Sequence, residues 1–90
     1  MKKIILVQPK NGLNDTIYVP LGLISLAAFI RQDFDVQIID LRFESLDFLY
    51  AQIKESQPLA VGFSVLTGSC ITQIIEACKK IKEKYPEVKT

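Results

Sequence analysis

Three short apolar runs constrain the fold of this chain more than any other feature of its sequence. They cover residues 3–8, 36–40 and 59–65, they are rich in Ile, Leu and Val, and they show little alternation of polar and apolar positions. Such runs are typical of strands that are buried on both faces, as in a parallel sheet. Parallel strands need crossover connections, and these are usually helices.

A helical pattern follows each of the three runs. The first helix is expected to begin at Pro20 and to end near Gln32, and its apolar residues nearly encircle it, which indicates cover on more than one side. Ser45 can cap the second helix, which Pro58 closes. The third is expected over residues 70–84. Its inner face is expected to consist of Ile71, Ile74, Ile75, Cys78 and Ile81.

This alternation predicts an α/β fold, with right-handed βαβ units on an open parallel sheet of strand order 2-1-3. It is a flavodoxin-like (Rossmann-like) βαβαβα half-domain, with the first helix on one face and the third on the other or bridging to it. Residues 88–90 resemble the start of a fourth strand, so residues 1–90 are expected to be the N-terminal part of a truncated domain. The third strand would then keep an apolar, unpaired edge, which predicts self-association or a need for the rest of the domain.

Composition excludes several classes of function. The net charge of +1 is too small to indicate nucleic acid or an anionic membrane as partner. The apolar stretch over residues 21–30 is too short to span a bilayer, and no signal peptide is recognisable, so a cytoplasmic protein is expected. The chain has no histidine, and Cys70 and Cys78 have neither a zinc spacing nor a redox spacing. We therefore expect no metal site and no catalytic residue in this chain.

In open α/β sheets, ligands bind beyond the carboxyl ends of the strands, where the strand order reverses. In the order 2-1-3 this crevice lies between the first and third strands, and residues 8–19 and 64–69 would form its walls. No G-x-G-x-x-G, P-loop lysine or receiver-type acid cluster is present. Asp40 is expected to be a solvated carboxylate at a strand end. The turn at Thr67-Gly68-Ser69 can either bind a phosphate or simply begin a helix.

Four pieces of the sequence together resemble the N-terminal cobalamin-binding domain of radical S-adenosylmethionine enzymes. They are Ile4-Ile5-Leu6-Val7-Gln8-Pro9, then Pro20-Leu21-Gly22-Leu23 with Ala27-Ala28, then Val36-Gln37-Ile38-Ile39-Asp40, and last Val61-Gly62-Phe63-Ser64-Val65-Leu66-Thr67. The resemblance extends over nearly the whole chain. Their order and spacing, more than any single piece, carry the likeness.

The resemblance implies that cobalamin lies over the carboxyl edge of the sheet. It implies a serine, Ser64, that approaches the nucleotide tail of the cofactor. The implied cofactor-binding residues are Gln8, Pro9, Asn11, Gly12, Pro20, Leu21, Gly22, Ser64, Val65, Leu66, Thr67 and Gly68. The chain departs from the histidine motif of cobalamin-dependent mutases and contains no CxxxCxxC motif.

The resemblance also implies a larger parent enzyme, in which another domain binds the iron–sulfur cluster and S-adenosylmethionine. The partners of this chain would be the remainder of its own domain and a C-terminal radical domain. Two alternatives stay open: a flavodoxin-like structural or interaction domain without ligand, and a phosphate-ligand binder at the turn after the third strand. Either alternative would leave Pro20 as a helix start and Ser64 as a residue that bonds its own turn.

Overall fold

The computed structural model describes residues 2–10, 21–64 and 70–90, with the backbone alone at Leu21 and Cys70. Strands and helices alternate along it, as the apolar runs predict. The elements are β1 (Lys3–Gln8), α1 (Leu21–Ile30), β2 (Asp35–Asp40), α2 (Leu46–Ser56), β3 (Ala60–Phe63) and α3 (Cys70–Lys84). None of the described helices is long and apolar enough to cross a lipid bilayer.

The three strands form a parallel sheet in the order β2-β1-β3, which confirms the predicted topology. Because β1 is central, it needs apolar side chains on both of its faces. Ile5 and Val7 are fully buried, and Leu6, which points to the opposite face, is 4% exposed. This explains why the sequence of β1 shows no alternation.

One face of the sheet carries the main hydrophobic core. Leu49 and Ile53 of α2 and Ile81 of α3 pack there against the strand residues Ile5 and Val61. Helix α1 lies against β1 and β2 outside this cluster, and right-handed crossovers place it on the other face. The first and third helices are therefore on opposite faces, as expected.

The cover expected around α1 is not found among the described residues. Among the large side chains of α1 that the structure describes, Leu23 alone is buried, whereas Leu26 is 45% and Phe29 83% exposed. The expected inner face of α3 is also partly wrong, because Ile71 and Ile75 are exposed. Helix α3 contacts the core through one narrow stripe, Ile74, Ala77 and Ile81, whose spacing keeps these residues on one side.

Caps and edges complete the arrangement. The Ser45 hydroxyl accepts a hydrogen bond from the Phe48 amide at 3.1 Å, which confirms the predicted cap of α2. The described part of β3 ends at Phe63, earlier than expected. The start of a fourth strand is a single bridge: the Val61 amide donates to the Lys89 carbonyl at 2.7 Å. The outer edge of β3 is thus paired only near its beginning.

Candidate functional site

The carboxyl ends of β1 and β3 lie side by side and form one rim of the predicted crevice. The Ser64 amide donates to the Val7 carbonyl at 3.0 Å, so Ser64 is next to the residues that end β1. Gln8 is half-buried there and Pro9 is buried. The structure therefore brings together three of the predicted site residues: Gln8, Pro9 and Ser64.

Gly22 is the fourth predicted site residue whose surroundings are described. It is exposed in the first turn of α1, and a Cβ built there would meet no other atom within 4 Å. The space beside it is open, as contact with a large flat ligand would require. The remaining predicted site residues, and the turn considered for phosphate, lie outside the described residues, or in one case have only a described backbone. These are Asn11, Gly12, Pro20, Leu21, Val65, Leu66, Thr67, Gly68 and Ser69.

Asp40 is not the solvated carboxylate that the sequence suggested. Arg42 Nε donates to Asp40 Oδ1 at 2.9 Å and Arg42 Nη2 donates to Asp40 Oδ2 at 2.8 Å, a two-point pair. The side chain of Arg42 is 6% exposed and that of Asp40 18%. The hydrogen bond from the Arg42 side chain lowers the pKa of Asp40 below its ordinary value, against the opposing effect of burial. The turn after β2 folds Arg42 back over the strand end, which spacing alone does not reveal.

This ion pair borders the same rim as Gln8. Asp40 is the partner of Gln8 in the sheet register, and the Leu41 amide donates to the Gln8 carbonyl at 2.8 Å. The turn that holds Asp40 and Arg42 therefore also holds the end of β1. The turn therefore stabilises the end of β1 along the edge that pairs with β2.

A second contact at the rim was missed by sequence reasoning. The Lys10 amide donates to Gln73 Oε1 at 3.3 Å, joining the segment after β1 to the first turn of α3. The two residues are 63 positions apart. The one signal available in the sequence was a polar residue beside the apolar stripe of α3, and this does not identify a partner.

The described residues contain no group of three acidic, cysteine or histidine side chains that could hold a metal ion. Cys78 is a free, half-buried thiol on α3. The rim instead offers the side-chain amide of Gln8 and the hydroxyl of Ser64, which suit a polar ligand.

A family model described as "B12 binding domain" matches residues 15–90, which include every helix and two of the three strands. The chain belongs to the B12-binding domain family. A B12-binding domain binds cobalamin, so the chain is a cobalamin-binding module. No curated protein and no solved structure matches the chain.

The described rim fits this cofactor. Cobalamin is a broad, nearly flat macrocycle with amides around its edge, and these amides need hydrogen-bond partners. The side chains of Gln8 and Ser64 can each donate and accept hydrogen bonds, as ligand amides require. The chain contains no histidine, so no imidazole of this chain can coordinate the cobalt.

Proposed function

We propose that this chain is the cobalamin-binding module of a larger cobalamin-dependent radical S-adenosylmethionine enzyme. The observation that carries the proposal is the match of a B12-binding domain to residues 15–90, on a parallel sheet of order β2-β1-β3. The radical domain of the parent, with its iron–sulfur cluster and S-adenosylmethionine, would lie outside this chain. The order and spacing of the four matching sequence pieces support that parent over a mutase.

In this proposal the cofactor lies over the rim formed by β1, β3 and the start of α1. Gln8, Pro9, Gly22 and Ser64 form the described part of the contact surface. Gln8 and Ser64 would hydrogen-bond the polar groups of the cofactor, and Gly22 would present no side chain to it. The other contact residues are Asn11, Gly12, Pro20, Leu21, Val65, Leu66, Thr67 and Gly68.

The role of the chain is to bind and orient. When bound, cobalamin supplies a cobalt centre for methyl transfer or one-electron chemistry. The protein contributes a fixed rim, and it places one face of the cofactor toward the domain that carries the reaction. The chain contains no histidine, so it would offer no imidazole to a bound cobalamin.

The test is a titration of the full-length protein with hydroxocobalamin, followed by absorbance. We expect saturable binding at one site, and we expect Gly68→Val to weaken it, because a branched side chain there obstructs close approach to the crevice. Lys54→Ala, on an exposed position of α2, is the matched control and should bind normally. Unchanged affinity in the Gly68 variant would contradict the proposed placement.

A separate measurement tests whether the parent protein is a radical S-adenosylmethionine enzyme. Iron and sulfide analysis of the purified, anaerobically reconstituted full-length protein, together with reductive cleavage of S-adenosylmethionine, would support a radical domain. A full-length protein that binds hydroxocobalamin but carries no cluster would refute the radical parent and leave the cobalamin module standing.

A further inference from the structure

Lys10, in the wall of the crevice that follows β1, is hydrogen-bonded to Gln73 of α3, the helix that follows the second wall. Lys10 follows the end of β1 by two residues, and Gln73 is the fourth residue of α3, which follows β3. Their hydrogen bond is 3.3 Å long and accessible to solvent. It therefore joins the two segments between which the strand order reverses.

This contact is not needed to hold the sheet and α3 together. Ile5 and Val7 of β1 and Ile81 of α3 are already buried together in one core cluster. An exposed hydrogen bond between neutral groups adds little to stability beside such a core. Its effect is local, because it determines where the first residue after Pro9 lies relative to α3.

The position of Lys10 relative to α3 matters because cobalamin, the proposed ligand, is rigid. A crevice whose walls are already at the correct separation loses less conformational freedom when a flat, stiff molecule enters it. Gln73 is half-buried, and its side-chain carbonyl accepts a hydrogen bond from the Lys10 backbone amide. This bond connects the start of the wall that follows β1 to α3.

We propose that Gln73 is a positioning residue for cobalamin: by accepting a hydrogen bond from the Lys10 amide, it fixes the separation between the end of β1 and the start of α3. This inference rests on the proposed cobalamin function. It adds a residue that neither the family match nor the resemblance assigns. Gln73 acts through Lys10 and is not itself required to touch the cofactor.

The tie can be tested without any cofactor. Hydrogen exchange at the Lys10 amide of the full-length protein should be faster in Gln73→Ala, which removes the acceptor. In Gln73→Glu it should stay close to the wild-type rate, because the carboxylate keeps an oxygen at the same place. Thr72→Ala, its exposed neighbour on α3, is the matched control and should leave the rate unchanged. Equal exchange in the alanine variant and the wild type would overturn the inference.

The positioning role is tested with hydroxocobalamin as the probe. We expect Gln73→Ala to weaken its affinity by about 3- to 10-fold, the size of one lost ordinary hydrogen bond, and Gln73→Glu to restore it to within about twofold. Unchanged affinity in Gln73→Ala, or equal losses in both variants, would overturn the positioning role and leave the proposed function intact. Failure of the unchanged protein to bind would instead overturn the proposed function, and the Lys10 exchange would still decide whether Gln73 ties the wall.

Discussion

The carboxylate of Asp40 and the guanidinium of Arg42 leave water together when the end of β2 folds. Each oxygen of the carboxylate accepts a hydrogen bond from the guanidinium, and Oδ1 also accepts one from the Arg42 backbone amide at 3.0 Å. Replacing the Asp40 carboxylate removes the acceptor of three hydrogen bonds that Arg42 donates, and hydrogen bonds to a charged group contribute more than those between neutral groups. The pair is therefore a sensitive point.

We predict that Asp40→Asn lowers the free energy of unfolding by about 1–3 kcal/mol, less than for a fully buried pair because 18% of the Asp40 side chain remains exposed. Its pKa in the folded state is lowered from 3.8, so the folded carboxylate stays charged at a pH where the unfolded one is already protonated. The stabilisation is complete above the unfolded pKa and is lost as the pH falls through the folded one.

Urea unfolding of the wild type and the Asp40→Asn variant at several pH values measures both the loss of stability and its dependence on pH. The difference in stability should be largest near neutral pH and should shrink as the pH falls from about 5 toward 3. Glu55→Gln, an exposed carboxylate on α2, serves as the control and should leave the wild-type pH dependence in place. A difference that stays constant over this range would mean that Asp40 does not contribute through its charge.

Individual residues differ in how far the sequence can predict them. The Ser45 cap was predictable because a cap acts on its own helix, three residues away. The partner of Asp40 depends on the direction of a turn, and the partner of Gln73 depends on the whole βαβ topology. Sequence identifies polar residues near a rim, and only the fold pairs them.

Among the elements, α3 best separates what periodicity determines from what packing determines. Its bounds follow from the turn before it and from Tyr85-Pro86 after it, and the structure confirms them. The inner face predicted for α3 is wider than the surface of α3 that contacts the core. Ile81 is 1% exposed, whereas Ile75 is 59% exposed, although both belong to the predicted face.

We predict unequal effects of the same substitution at these two sites. Ile81→Val should lower the free energy of unfolding by about 0.5–1.5 kcal/mol, because it removes a buried methylene and leaves a small cavity. Ile75→Val should change it by less than about 0.5 kcal/mol, as expected for an exposed position. Chemical denaturation of both variants measures this. Equal losses would show that Ile75 is covered in solution.

The sequence of α1 indicates less clearly than that of α3 which side of the helix faces the sheet. Its residues are apolar on all sides, so no face stands out, and the cover that the sequence predicts on more than one side is not found among the described residues. Leu23 is buried on the sheet side, whereas Phe29 is 83% exposed. The apolar run therefore predicted the helix α1, and only the crossover geometry placed α1 on its face of the sheet.

At the scale of the whole molecule, topology was the most predictable property and the site the least. Three buried strands with helices between them admit few arrangements under the right-handed crossover rule, and the order β2-β1-β3 is one of them. That order locates the rim. It does not give the separation of the crevice walls, which depends on single contacts such as the bond between Lys10 and Gln73.

The exposed apolar surface near β3 leads to the last prediction. A groove of about 490 Å³ along α3 is lined by Ile74, Ile75, Cys78, Lys79, Lys82 and Glu83. Lys82 Nζ donates to the Val88 carbonyl at 3.0 Å, so the groove borders the outer edge of β3, which within the described part of the chain is bridged at Lys89 alone. An apolar groove beside a partly paired strand edge is a surface on which a second copy can pack.

We therefore predict that residues 1–90, taken alone, self-associate through the β3 edge and this groove, and that they bind cobalamin weakly. Analytical ultracentrifugation over a range of concentrations should show mass above that of the monomer. Ile75→Lys should shift the chain toward monomer, because a charge in the groove must be desolvated when two copies pack. Phe29→Lys, on the opposite face, is the matched comparison and should leave the association unchanged. A monomer at all concentrations would contradict the prediction, and dissociation by Phe29→Lys alone would assign the contact to α1 instead of β3.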